Sequence, residues 1–333
     1  MKGIICVLVL VLLFLGFVSE TFTQTFETIE IGKGAGSPKW SLDGTKLAFM
    51  SEGWLCVADA DGKGQTRKVV EISTKFFEWI SDSEFVVFEK EYPKGDNRVA
   101  KPVLRISKID IGGLITIVDQ DTTFSKTTTP KITRPIILPD GTVGFYRCKG
   151  GYQNWECDEF RIIKQGKLKP DAALKQMIAT TEGYPAWGEI NLESVDHTTK
   201  KRITPGKQYL FPELSPDSSK IIASYGPAEF VLDLNGNVTL DLGKELPEAK
   251  PGYTIGVLHA KWSPDSKKIV YEVTTEDGHN VYNVDIYVIN TDGTGRTRLT
   301  NTPDEIESNP SWSPDGTKIA YIRSGKVLVI KLK

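Results

Sequence analysis

Asn309-Pro310-Ser311-Trp312-Ser313-Pro314-Asp315-Gly316-Thr317-Lys318-Ile319-Ala320-Tyr321-Ile322 reads as two strands around a tight turn. In Ser313-Pro314-Asp315-Gly316 the proline presets φ near −65°, the aspartate can bond the local backbone, and the glycine accepts a positive φ. Trp312 on one side, and the alternating aromatic and β-branched run Ile319 to Ile322 on the other, suit buried strands. A hairpin this small cannot bury both of its faces, so the unit requires copies of itself.

The copies are present. Aligned on the turn aspartate, they centre on Asp43, Asp82, Asp140, Asp217, Asp265 and Asp315. Trp40, Trp79, Trp262 and Trp312 recur at one position of the unit, and Ile137 and Leu214 hold it in the other two copies. The shortest interval, Asp43 to Asp82, is about 40 residues, the length of a four-stranded propeller blade. Third strands such as Trp54 to Val57 and Asp285 to Ile289, each followed by a turn and a fourth strand, complete the unit. The expectation is an all-β fold: a six-bladed β-propeller of four-stranded antiparallel blades.

At 333 residues the chain is long for one core, but repeats that contact only their neighbours escape that limit. A net charge of −2 gives no electrostatic reason to expect nucleic acid. Near the start, Lys2 precedes the apolar run Ile4 to Val18, short for a membrane span and suited to the core of a secretory signal. Residues 1–24 are therefore expected to be a signal peptide, leaving a periplasmic or secreted domain over 25–333 with no stable membrane span in the mature chain. Phe26 to Ile31 alternates as a strand, whereas the last repeat runs out after Val327 to Ile330, so the first strand is expected to join the last blade and close the ring.

The run from Ile286 to Tyr321, with Tyr287-Val288-Ile289-Asn290-Thr291-Asp292-Gly293 and then Pro310-Ser311-Trp312-Ser313-Pro314-Asp315-Gly316, resembles the TolB-type β-propeller repeat. The likeness extends to the repeats around Trp262 and Trp40 and is fainter at the second and third copies. It covers the propeller alone: no α/β domain of the TolB kind is expected before the first blade, nor an α/β-hydrolase domain after the last, and no G-x-S-x-G occurs. The resemblance implies a fold and leaves the activity open, because propellers host many functions.

Several conspicuous residues have structural explanations. The repeated tryptophans fill the space between neighbouring sheets. Asp59 to Gly64 looks faintly like a calcium loop, but Lys63 and Val70 stand where carboxylates are needed, so it is a turn. His197, His259 and His279 lack metal-ligand spacing, and neither a metal nor a cofactor is expected. Cys148 and Cys157, in a chain that reads as exported, are candidates for a disulfide; Cys56 lies on a predicted inner strand as a buried apolar residue.

Residues 149–186 exceed what the third blade needs. They carry Tyr152, Trp155 and Tyr184 and a predicted short helix over Asp171 to Ala179, and form an insertion on the face where second-to-third-strand loops emerge. Glu89 to Lys101 and Thr274 to Asn283 are expected to join it there. Three positions before each tryptophan position, at the mouth of the central channel, fall Ser37, Phe76, Arg134, Phe211, His259 and Asn309, a mixture suited to ligand binding. Two functions follow. One is a monomeric, non-enzymatic module or scaffold that docks an envelope protein or peptide on the loop-rich face. The other is an extracytoplasmic polysaccharide lyase or hydrolase using Arg134, His259 and a carboxylate such as Glu156 or Asp158.

Overall fold

The computed structural model describes residues 26–72, 77–91, 103–121, 131–132, 136–137, 143–151, 154–163, 177–181, 188–194, 199–246, 248–249, 251–303 and 305–332. Among them are strands and no helix. After β1 (Thr28–Lys33), seven sheets follow in chain order. Sheet 1 holds β2 (Ala35–Trp40), β3 (Lys46–Ser51), β4 (Trp54–Asp59) and β5 (Arg67–Glu71). Sheet 2 holds β6 (Phe77–Ser81), β7 (Glu84–Glu91), β8 (Val103–Asp110) and β9 (Ile115–Asp121). In sheet 3, β10 (Lys131–Ile132) and β11 (Ile136–Ile137) both pair with β12 (Val143–Gly151), which also pairs with β13 (Asn154–Ile163). Sheet 4 has three strands, β14 (Met177–Thr181), β15 (Ile190–Ser194) and β16 (Lys200–Arg202). Sheet 5 holds β17 (Leu210–Leu214), β18 (Lys220–Tyr225), β19 (Ala228–Asp233) and β20 (Val238–Asp241). Sheet 6 holds β21 (Thr254–Trp262), β22 (Lys268–Glu276), β23 (Val281–Asn290) and β24 (Thr297–Arg298). Sheet 7 holds β25 (Glu307–Trp312), β26 (Lys318–Arg323), β27 (Lys326–Lys331) and, on its outer edge, β1.

The turn motif folds the same way in sheets 1, 5, 6 and 7. Its serine hydroxyl donates to the aspartate Oδ1, from Ser41 to Asp43 at 2.7 Å and from Ser313 to Asp315 at 2.6 Å. The same hydroxyl accepts the amide of Lys46 or Lys318 at 2.9 Å, while the aspartate accepts the amide two residues on. These bonds, the serine's first, hold Asp43 and Asp315 down at about 2. The fourth turn residue takes positive φ: 70° at Gly44, 69° at Gly316, 58° at Ser218 and 60° at Ser266. Both serines therefore sit in a conformation that glycine adopts without steric cost.

Between sheets, the tryptophans do two things. Their rings are buried, and each indole N–H reaches a main-chain carbonyl of the preceding sheet. Trp262 donates to Glu213 O at 3.1 Å, Trp312 to Lys261 O at 3.2 Å, Trp40 to Ser311 O at 3.0 Å and Trp79 to Lys39 O at 3.0 Å. Apolar clusters straddle the same boundaries. Tyr209 and Ile221 pack with sheet 4, Trp262 and Tyr271 with sheet 5, Trp312 and Tyr321 with sheet 6, Trp40 and Phe49 with sheet 7, and Trp79 and Phe85 with sheet 1. The described sheets thus form the succession 4, 5, 6, 7, 1, 2, in which the last sheet of the chain packs on the first.

Strand β1 runs antiparallel to β27, with Thr28 opposite Ile330 and Lys33 opposite Lys326. Ion pairs from Lys326 to Glu30 at 2.8 Å and Lys331 to Glu27 at 2.9 Å lie along this edge. Being exposed, they add little beside the main-chain ladder.

The turn motif counts six units, and the described residues make seven sheets, of which sheet 4 carries no copy of the motif. Two sequence expectations need correction. The predicted helix over Asp171 to Ala179 runs into β14: Met177 to Ala179 pair with Leu192 to Ser194, and residues 171–176 lie outside the described residues. Leu174 and Ile178 at helical spacing are outweighed by a cross-strand partner that local spacing cannot reveal. The loops expected over Glu89 to Lys101 and Thr274 to Asn283 are shorter than read: β7 continues to Glu91, and β22 and β23 leave only Asp277 to Asn280 between them.

Trp262→Phe keeps most of the ring contact and deletes the bond to Glu213 O. It should lower stability by about 1–2 kcal/mol in urea denaturation, against about 3–5 kcal/mol for Trp262→Ala.

Candidate binding site at the inner-strand bulges

At the end of the first strand away from the turn motif, the ladder breaks register. The breaks fall between Ala35 and Lys39, Leu210 and Glu213, Leu258 and Lys261, and Ser308 and Ser311. Each bulge contains one residue of left-handed backbone, at φ 78° for Gly36, 48° for Phe211, 56° for His259 and 57° for Asn309. Phe211, His259 and Asn309 occupy equivalent positions in three consecutive sheets. A residue with a side chain costs about 1–2 kcal/mol in this region relative to its usual backbone, a cost glycine avoids.

Buried carboxylates hold two of the bulges, those of sheets 6 and 7. Glu272, on β22 and 3% exposed, accepts the Asn309 amide at Oε1 over 2.7 Å and lies 3.0 Å from His259 Nδ1 through Oε2. Glu229, on β19 and 6% exposed, accepts the Ala260 amide at 2.7 Å and the Ser224 hydroxyl at 3.2 Å. Each carboxylate therefore reaches from one sheet to the bulge of the next. Ser37 Oγ donates to Asn309 Oδ1 at 3.0 Å, so His259, Glu272, Asn309 and Ser37 form one polar chain across sheets 6, 7 and 1. Burial pushes the Glu229 carboxyl up, opposed by the bond from Ala260. The His259 imidazole is raised, first by its hydrogen bond to Glu272 and against the pull of desolvation. With Nδ1 on Glu272 and the side chain 60% exposed, Nε2 is the nitrogen available to a ligand.

One residue before the tryptophan position, Lys39 pairs with Glu78 and Lys261 with Glu213, each ion pair crossing between neighbouring sheets. The charge of Glu213 is the first cause of a raised Lys261 ammonium. Tyr253 and Tyr282 stand exposed at the same end of sheet 6, their ring centroids 5.2 Å apart, and the Tyr282 hydroxyl donates to Asp277 at 2.6 Å. At the opposite end of the first strands, a cavity of about 300 Å³ lies over Trp312 between the Ser263-Pro264-Asp265 and Pro314-Asp315-Gly316 turns. Its two aspartates already accept bonds from their own turns, so it offers little chemistry.

Of the rim positions read from the sequence, Ser37 and Asn309 touch, His259 joins them through Glu272, and Phe211 stands at the matching place in sheet 5. Phe76 and Arg134 lie outside the described residues, as do Tyr152 and Tyr184; Trp155 is on β13. Asp59 to Gly64 is a turn, with Asp61 Oδ1 accepting the Lys63 amide at 3.0 Å. Among the described residues, no group of three or more His, Cys, Asp or Glu side chains is placed to hold a metal ion. Sequence reading missed Glu272 and Glu229. The signal for both was a lone carboxylate inside an apolar strand, Val270-Tyr271-Glu272-Val273 and Glu229-Phe230-Val231, where burial demands a partner.

No protein-family model matches the chain, and no curated protein matches it. Solved structures similar to it include a TolB candidate from Agrobacterium tumefaciens, at 18% identity and TM-score 0.43, covering 91% of each chain. An oligogalacturonate lyase in complex with manganese is similar at 16% identity and TM-score 0.39, covering 91% of this chain and 78% of the other. The C-terminal WD40 domain of Sif2 is similar at 13% identity and TM-score 0.47, covering 94% of this chain and 99% of the other.

The raised imidazole fixes the sign of a pH effect. The His259–Glu272 contact stabilises the fold fully below the unfolded histidine value near 6.5, and that contribution is lost as pH rises through the folded value. Proton NMR titration should place His259 above the ordinary histidine value near 6.5, and His259→Asn should flatten the fall in melting temperature across this window.

Proposed function

We propose that this chain is an extracytoplasmic β-propeller that binds without catalysis, docking a protein or peptide of the cell envelope on the face that carries the inner-strand bulges. The observation that carries this reading is the retention of Phe211, His259 and Asn309 where glycine would be sterically cheaper. Backbone strain concentrates at functional sites, and here buried carboxylates hold the bulges that carry His259 and Asn309. The exposed Tyr253, Tyr282 and Ile306 extend the surface outward. The export signal is read from the apolar run Ile4 to Val18, and a monomer is the state proposed.

The ring is read as six sequence repeats closed by β1. Sheets 3 and 4 divide one repeat between them. In β15 the Ile190 amide donates to Thr204 Oγ1 at 2.7 Å, as the Ile286 amide of β23 donates to Thr300 Oγ1 at 2.9 Å, so β15 and β16 correspond to third and fourth strands. In the sequence, the turn motif of that repeat falls between Ile137 and Val143.

Phe211→Gly and Asn309→Gly provide the test. Each should leave stability unchanged or raise it by up to about 1 kcal/mol in chemical denaturation, because the left-handed backbone is relieved. Capture of an envelope protein by the immobilised chain should fall at least tenfold in the double variant. Undiminished capture would remove the rim from the binding surface.

A second reading has one observation in its favour. A buried carboxylate orienting an imidazole whose other nitrogen faces outward is the arrangement of a general base, and a lyase or hydrolase of polysaccharides could use it with Arg134 and Glu156 or Asp158. Under this reading His259→Ala abolishes turnover of a glycan panel at unchanged melting temperature. A panel left intact by the unaltered chain rules it out for those substrates.

A further inference from the structure

We propose that Cys148 and Cys157 are joined by a disulfide that staples the β12–β13 hairpin. The ladder pairs Arg147 with Glu159 and then, across a one-residue irregularity, Cys148 with Cys157, continuing to Gly150 opposite Trp155 and Gly151 opposite Asn154. Without that irregularity Cys148 would face Asp158. The extra residue on β13 is what sets the two cysteines opposite each other.

Directly opposed residues of an antiparallel pair share a face of the sheet, with Cα atoms about 4.5–5.5 Å apart. A disulfide requires about 4.4–6.8 Å, so the register alone brings the backbone within range. The remaining described cysteine, Cys56, is buried in the cluster between sheets 1 and 7, and burial raises its thiol. It is not a competing partner. The electrons leave by thiol–disulfide exchange with a small-molecule or enzyme disulfide. One cysteine thiolate attacks the donor's S–S bond and expels a thiolate. The second displaces the other half from the resulting mixed disulfide, so two protons and two electrons are lost in all. In the cell this rests on the extracytoplasmic reading, which supplies an oxidising compartment.

The closed loop is about ten residues, so the bond removes little freedom from the whole chain but fixes the hairpin end, where Gly150 pairs with Trp155 and Gly151 with Asn154.

The full chain is equilibrated in a glutathione redox buffer, denatured, alkylated without reduction and cut with trypsin. The expected product is the dipeptide Cys148-Lys149 linked to the peptide Gly150 to Arg161, separating on reduction. Recovery of both cysteines alkylated, or either linked elsewhere, overturns the proposal. In the oxidised chain, reduction or the pair Cys148→Ser and Cys157→Ser should raise hydrogen exchange of the Gly150 to Glu156 amides about tenfold to a hundredfold. Unchanged exchange overturns the staple even if the bond forms. Neither failure bears on the bulge residues, whose glycine variants test the binding reading without touching a cysteine.

Discussion

The bond from an indole N–H of one sheet to a main-chain carbonyl of the sheet before it is the contact on which the architecture depends. Face-to-face packing of apolar side chains is non-directional and would let neighbouring sheets slide. A buried N–H must find an acceptor, and here one carbonyl in each preceding sheet meets the need. Trp262, Trp312, Trp40 and Trp79 therefore set the offset of each sheet on the last as well as filling the gap. Sheet 5 has Leu214 at this position and meets sheet 4 without such a bond among the described contacts.

That offset decides what lies at the ends of the inner strands. Once the sheets are in register, Glu229 and Glu272 come level with the bulges of the following sheets and accept their freed amides. A bulge leaves main-chain donors without ladder partners, and a buried carboxylate needs donors. The two deficits cancel. The histidine and asparagine are thereby presented outward from left-handed backbone, fixed by groups that solvent does not reach. At the other end of the same strands, the Ser-Pro-Asp turns consume their own polar groups internally, which leaves that end chemically quiet.

The repeated sheet was legible in the sequence because proline, aspartate and glycine report local backbone geometry, and a recurring tryptophan reports a recurring gap. Sheet 4 was legible only in the strand read over Glu189 to Val195, within which β15 falls. It has no turn motif, and Met177 to Thr181 takes its conformation from a partner strand rather than from its own spacing. The rim positions were countable from Trp40, Trp262 and Trp312, and Ser37, His259 and Asn309 do converge. Their left-handed backbone was invisible, since nothing local to Phe211 or His259 favours it; it follows from a bulge whose cause lies in the neighbouring sheet. Glu272 was visible only as an oddity, a charge in an apolar strand, and its role required the third dimension.

The pairing of β1 with β27 brings together segments almost 300 residues apart, as the 296-residue separation of Glu30 and Lys326 records. Every other pairing within a sheet among the described residues joins near neighbours along the chain. Closing so long a loop costs about 5 kcal/mol of chain entropy, which cooperative docking of the intervening sheets reduces by bringing the ends close first. Strand β1 is thus made long before the partner that fastens it: during synthesis it waits as an unattached ribbon, open to mispairing with strands of other molecules until β27 exists.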